Sequence, residues 1–149
     1  MHYRFADFKD IPTLAEGAAQ LAVDQGLRER PQPAELQRKF WDWLSSDYRA
    51  VIFDNAERRV GYALYRNLPD HVELRQFYIQ REFRGTDFER EAFEMLREEV
   101  WKPGVRVQVV TLANNRQSIE FWNKLGFGEY AVTLELDTAA GESEAAAAS

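Results

Sequence analysis

Between Asp10 and Gly26 the apolar residues Ile11, Leu14, Ala15, Ala18 and Ala22 recur at helical spacing, which predicts an amphipathic helix with Asp10 as its cap and Pro12 in its first turn. Leu36, Phe40, Trp43 and Leu44 in RPQPAELQRKFWDWLSS predict a second helix. The period then shortens. YRAVIFDNAERRVGYALYRN predicts two strands around a turn near Asn55, and HVELRQFYIQ predicts a third after the Pro69-Asp70 break. Phe88, Ala92, Met95, Leu96 and Val100 return to helical spacing and stop at Lys102-Pro103-Gly104. VRVQVVTL predicts a buried strand, NNRQSIEFWNKLGF a short helix ending at Gly126, and EYAVTLEL a closing strand. With YRFADF as a first strand, the order implies an α/β chain of the α+β kind: a mixed central sheet, antiparallel then parallel, with helices on both faces.

At 149 residues, with 45% hydrophobic and 13% aromatic content, the chain suits one globular domain, placed at residues 1–137. TAAGESEAAAAS, residues 138–149, has too little apolar bulk to pack and reads as a disordered low-complexity tail. The net charge of -6 gives no basic field for nucleic acid and favours a cationic partner. There is no cysteine, and His2 and His71 have no companions at ligand spacing, so no metal site is expected. MHYRFADFKD lacks the apolar core of a signal peptide and no run reaches membrane-spanning length, so a cytoplasmic address without membrane contact is expected.

FRGTDFERE, Phe83–Glu91, opens the third helix with acids where a phosphate-binding helix start would carry glycine. Thr86 and Glu89 stand in the S/T-x-x-E relation of a capping box, and Asp87 in the first turn complements the helix dipole. A carboxylate about 4 Å from a phosphate costs on the order of 4 kcal/mol at an intermediate dielectric. The same nine residues therefore describe either a self-capped helix that excludes phosphate, or a site whose carboxylates turn away.

The order of elements, NNRQSIEFWNKLGF with Asn115, Ser118, Phe121, Trp122, Gly126 and Phe127, and VELRQFYIQ running into REFRG together resemble the GNAT family of N-acetyltransferases. The resemblance covers Tyr3 to Asp137. It implies the GNAT fold and acetyl transfer from acetyl-CoA, as co-substrate, to a primary amine, small-molecule or peptidic. It further implies that the peptide groups of Phe77, Tyr78 and Ile79 hold the pantetheine arm by strand addition. The loop and helix start, Arg84, Gly85, Thr86, Asp87, Phe88 and Glu89, would meet the pyrophosphate, and Asn115, Ser118 and Trp122 would complete the cofactor site. The family pattern after Gly85 has glycine where Asp87 stands and glycine or alanine where Glu89 stands. Arg81, Arg84 and Arg90 are candidate phosphate partners.

By the same resemblance Glu73 is the candidate general base, and alternation along the strand puts Glu73, Arg75, Phe77 and Ile79 on one face. The family's tyrosine acid falls on Trp122, whose indole cannot give up a proton, so either the thiolate leaves unassisted or Tyr130 or Tyr78 serves. Trp41 is a candidate wall of the acceptor site. The last strands of such sheets often meet between copies, which makes a homodimer an expectation. The alternative reading keeps the fold without the chemistry: a binding or regulatory module whose pyrophosphate site Asp87 and Glu89 close.

Overall fold

The computed structural model describes residues 1–26 and 28–139. Its elements are β1 (His2–Phe5), α1 (Ile11–Gln25), α2 (Pro33–Ser45), β2 (Tyr48–Asn55), β3 (Arg58–Asn67), β4 (Val72–Ile79), α3 (Asp87–Met95) continued by a π turn (Leu96–Val100), β5 (Val107–Val109) and α4 (Arg116–Lys124). The five strands lie side by side in chain order. β1 to β4 are antiparallel and β5 joins β4 in parallel.

Alternation along the strands splits the core in two. Ile52, Tyr62, Leu64 and Tyr78 face α1 and α2 and meet Leu14, Leu36 and Phe40. Val51, Phe53, Val60 and Leu74 face the other way and meet Phe93, Leu96, Trp101 and Trp122 of α3, its π turn and α4. Helices thus cover both faces of a mixed sheet. At Gly61 a Cβ would lie 1.9 Å from the Tyr78 carbonyl oxygen, so only glycine lets β3 and β4 approach this closely.

Two local expectations change. Asp10 occupies the cap position of α1, but its carboxylate makes no bond to that helix. It accepts from both Arg4 guanidinium nitrogens, at 3.0 and 2.8 Å, and from the Asp7 N–H. The turn between β2 and β3 falls beside Asn55 as expected, with Ala56 in the left-handed region at φ 56°.

The second change concerns the end of the domain. VRVQVVTL forms only the three-residue β5, half-buried rather than buried, and EYAVTLEL forms no strand. Alternation alone makes an amphipathic segment, whereas a strand needs an edge to bond to. No backbone hydrogen bond joins residues 128–136 to β5 among the described residues, so the outer edge of β5 stays open and its burial is incomplete. Of the expected tail, residues 140–149 lie outside the described residues.

Candidate active site

The site is made by a strand that loses its neighbour halfway along. β5 pairs with β4 only at Val72, Glu73 and Leu74, so β4 runs on from Arg75 to Ile79 with that edge unpaired. The Gln80 N–H donates to the Val60 carbonyl of β3. In an antiparallel ladder bonding directions alternate, so Tyr78 and Gln76 also turn their peptide groups to β3, while those of Phe77 and Ile79 turn to the open edge. The edge therefore offers donors and acceptors at a two-residue repeat.

Beside it lies a cavity of about 470 Å³. Arg75, Phe77, Tyr78 and Ile79 form its β4 wall, and Val109 and Val110 the opposing end of β5. Asn115, Gln117, Ser118, Glu120, Phe121, Trp122 and Lys124 come from α4 and its approach, and Leu21, Asp24 and Gln25 from the end of α1. The apolar part is a cluster of rings: Phe77 stacks on Phe121 at 6.0 Å and meets the Trp122 edge at 5.6 Å. Asn115 caps α4 by accepting from the Ser118 N–H at 3.1 Å, which explains the spacing of those two polar residues at the rim. Among the described residues no group of three or more His, Cys, Asp or Glu side chains is placed to hold a metal.

One end of the cavity is the start of α3. The Thr86 hydroxyl accepts from the Phe88 N–H and donates to the Phe83 carbonyl, so it is the cap. Glu89 does not close a capping box on Thr86. Its carboxylate reaches one residue further, to the Gly85 N–H at 3.4 Å, and stands in the cavity lining. Burial pushes the Glu89 carboxyl above its ordinary range, against the opposing pull of the Gly85 N–H and the Arg84 charge. Thr86, Asp87 and Phe88 do not line the cavity. The two acids that sequence treats alike thus part company: Asp87 is exposed and turned away, and Glu89 is half-buried and turned in.

Arg84, the cation of this end, is already engaged. Its Nε donates to the Ile79 carbonyl at 2.8 Å and its Nη2 to Asp24 at 2.6 Å, and the guanidinium lies over the Tyr78 ring. Asp24 had no motif to announce it. Its one signal is an acid in the last turn of a helix, where the dipole disfavours negative charge.

The other end is set by a β-bulge. Leu64 pairs with Gln76 and Tyr65 with Leu74, leaving Arg75 as the extra residue. The bulge resets the alternation, so Glu73 and Arg75 do not share a face with Phe77 and Ile79. Phe77 and Ile79 pack with the α3 and α4 core, whereas Glu73 and Arg75 turn to Tyr48 and Trp43. Arg75 lies over both rings, at 5.1 Å from Trp43 and 5.8 Å from Tyr48, and borders the cavity.

Glu73 stands behind it, outside the lining, bonded to Arg66, accepting from the Tyr48 hydroxyl at 2.7 Å and 3.7 Å from Arg75. Burial raises its pKa, but the Tyr48 hydrogen bond and the two arginines outweigh this and hold it below the usual value. Tyr130 is 80% exposed and does not line the cavity. Of the three residues expected to move a proton, Glu73 and Tyr130 lie outside the cavity lining and Tyr78 stands in it. Trp41 is also elsewhere, exposed and packed on Phe8 at 4.4 Å.

The sequence matches the model of the Acetyltransferase (GNAT) family over residues 16–127. The chain belongs to this family. Solved structures agree with it in fold. A possible acetyltransferase from Clostridium difficile 630 has a TM-score of 0.74 at 14% identity over 91% of this chain and 95% of its own. A predicted acetyltransferase from Clostridium acetobutylicum, solved with acetyl-CoA, has 0.68 at 21% identity over 91% and 95%. An acetyltransferase from Thermus thermophilus has 0.68 at 21% over 86% and 88%. No curated protein sequence matches the chain at a significant level. In this GNAT chain no described helix is long and apolar enough to cross a membrane.

Proposed function

We propose that this GNAT protein transfers the acetyl group of acetyl-CoA to a primary amine by direct attack. The observation that carries the reading is the unpaired edge of β4 from Arg75 to Ile79 beside a cavity walled by Phe77, Phe121 and Trp122. A pantetheine arm is an extended chain of two amides, which suits an edge offering the peptide groups of Phe77 and the Ile79 N–H, the Ile79 carbonyl already accepting from Arg84. Its thioester would lie toward Arg75 and its diphosphate toward Gly85. The amine nitrogen attacks the thioester carbonyl, the C–N bond forms, the C–S bond breaks, the thiolate leaves, and the nitrogen gives up its second proton, by way of water, to that thiolate. A β4 backbone N–H at the open edge is the donor suited to the transient oxyanion.

Only a neutral amine attacks, so one proton must leave it first. Glu73 is ion-paired, lowered in pKa and outside the lining, which argues against direct abstraction by that carboxylate. Water in the open cavity is the simpler acceptor, with Glu73 fixing Arg75 and Tyr48 at the acceptor end. The leaving thiolate is stable enough to depart without an acid.

The second reading, a binding module of the same fold, is favoured by one specific observation: Glu89 occupies the Gly85 N–H, and Arg84 is spent on Asp24 and Ile79. Incubation with acetyl-CoA and a panel of small and peptidic amines, following free thiol, separates the two. Amine-dependent thiol release supports transfer, and its absence across the panel supports the module.

A further inference from the structure

We propose, resting on the transfer reading above, that Arg75 binds a carboxylate on the acceptor, so that the amine acetylated is one that also carries an acid, as a free amino acid does. Arg75 borders the cavity as the extra residue of the β4 bulge, at the end where an acceptor would meet the thioester. Bulges beside active sites serve to re-aim one side chain.

The guanidinium there is held but not satisfied. Its carbon lies 5.1 Å from the Trp43 ring and 5.8 Å from the Tyr48 ring, cation–π contacts that position the group without using its N–H donors. Among the described residues its one hydrogen bond runs from Nη1 to the Tyr48 hydroxyl at 3.3 Å, which leaves Nε and Nη2 without a partner. Glu73 stands 3.7 Å away, beyond hydrogen-bond range, and accepts instead from Arg66 and Tyr48. Arg84 at the other end is the contrast, with both its Nε and its Nη2 engaged. Nε and Nη2 share one edge of the guanidinium, and that edge takes a carboxylate through two parallel hydrogen bonds.

Charge narrows the class further. The net charge of -6 repels a simple anion, and Glu120 on the α4 wall lines the same cavity as Arg75. A polycationic amine suits that net charge but brings a like charge to Arg75. A zwitterion meets neither objection. It carries no net charge, its carboxylate suits the free edge of Arg75, and its ammonium suits the acidic surroundings until the proton leaves.

The test follows thiol release from acetyl-CoA with glycine, serine, leucine and phenylalanine as acceptors, each against its α-amide, and with spermidine as an amine that has no carboxylate. Amidation removes the carboxylate and lowers the basicity of the amine, so more of the amide is in the neutral, attacking form and a preference for the acid cannot come from basicity. In the unaltered chain kcat/KM for the best acid should exceed that for its amide by about tenfold or more, as a charged hydrogen-bonded pair requires. Arg75→Gln should abolish that preference, and Arg75→Lys, which keeps the charge without the fork, should leave it in between. An unaltered chain that acetylates the amides or spermidine at least as fast as the acids overturns the inference and leaves transfer standing, and this result needs no variant to fold. An acid preference that Arg75→Gln preserves also overturns it. No thiol release with any of these acceptors overturns the transfer reading together with this one.

Discussion

Glu89 accepts a hydrogen bond from the Gly85 N–H and so places a carboxylate where the α3 start borders the cavity. An anion arriving there meets a donor already in use and a like charge. Burial raises the Glu89 pKa, so the group takes up a proton more readily than a free glutamate. Binding of a diphosphate favours the protonated form further. Acetyl-CoA affinity should therefore rise as pH falls from about 8 toward about 5, with proton uptake on binding, and Glu89→Gln should flatten that slope. Calorimetry in buffers of different ionisation enthalpy reads both.

The Arg84–Asp24 pair acts on the same end of the cavity. Asp24→Asn leaves the guanidinium bonded to the Ile79 carbonyl but frees its outer nitrogens for phosphate. Acetyl-CoA should bind this variant several-fold more tightly, by about 1 kcal/mol. An unchanged dissociation constant would mean that Arg84 takes no part in binding.

Proton transfer gives a kinetic prediction. With water accepting the amine proton, kcat/KM should rise with pH up to the acceptor's own amine pKa, and Glu73→Gln should lower the rate without moving that limb. A limb that follows Glu73 rather than the amine would restore the carboxylate as base.

Asp10 ties the first strand to the first helix. Hydrogen bonding from Arg4, opposed by burial and aided by the Asp7 N–H, lowers its pKa to about 2 from 3.8. The folded pKa lies below the unfolded one, so this contribution is present above about pH 4 and is lost as pH falls toward 2. With Arg4 partly exposed, Asp10→Asn should cost about 1–2 kcal/mol at neutral pH and little at pH 2, as urea unfolding would show.

The β2–β3 turn gives an opposite sign. Ala56 holds a left-handed backbone at φ 56°, which glycine adopts without steric cost. Ala56→Gly should stabilise the fold by about 0.5–1 kcal/mol, whereas Gly61→Ala, which drives a Cβ into the Tyr78 carbonyl, should destabilise it by about 3 kcal/mol. Thermal unfolding distinguishes them directly.

Much of the fold is legible in the sequence. The helices came from spacing, as with Leu36 and Phe40 in α2, and the meander from alternation broken at Pro69-Asp70. What sequence could not give were departures from period and long-range pairings. One bulged residue, Arg75, turned Glu73 away from Phe77. Asp87 and Glu89 are indistinguishable by composition, yet two residues along a helix differ by about 200° in direction, so one faces solvent and the other the cavity. Asp24 enters the site only because α1 ends beside Arg84, sixty positions later in the chain. EYAVTLEL carried the right alternation for a strand, but the sequence could not say which edge, if any, it meets.

The most direct measurement is calorimetric titration of acetyl-CoA into the unaltered chain and into Glu89→Gln. A transferase whose cavity end is partly closed by Glu89 should bind at micromolar levels, and the variant about tenfold more tightly, as removal of one screened like charge requires. Failure of the unaltered chain to bind, whether or not the variant does, would contradict the account.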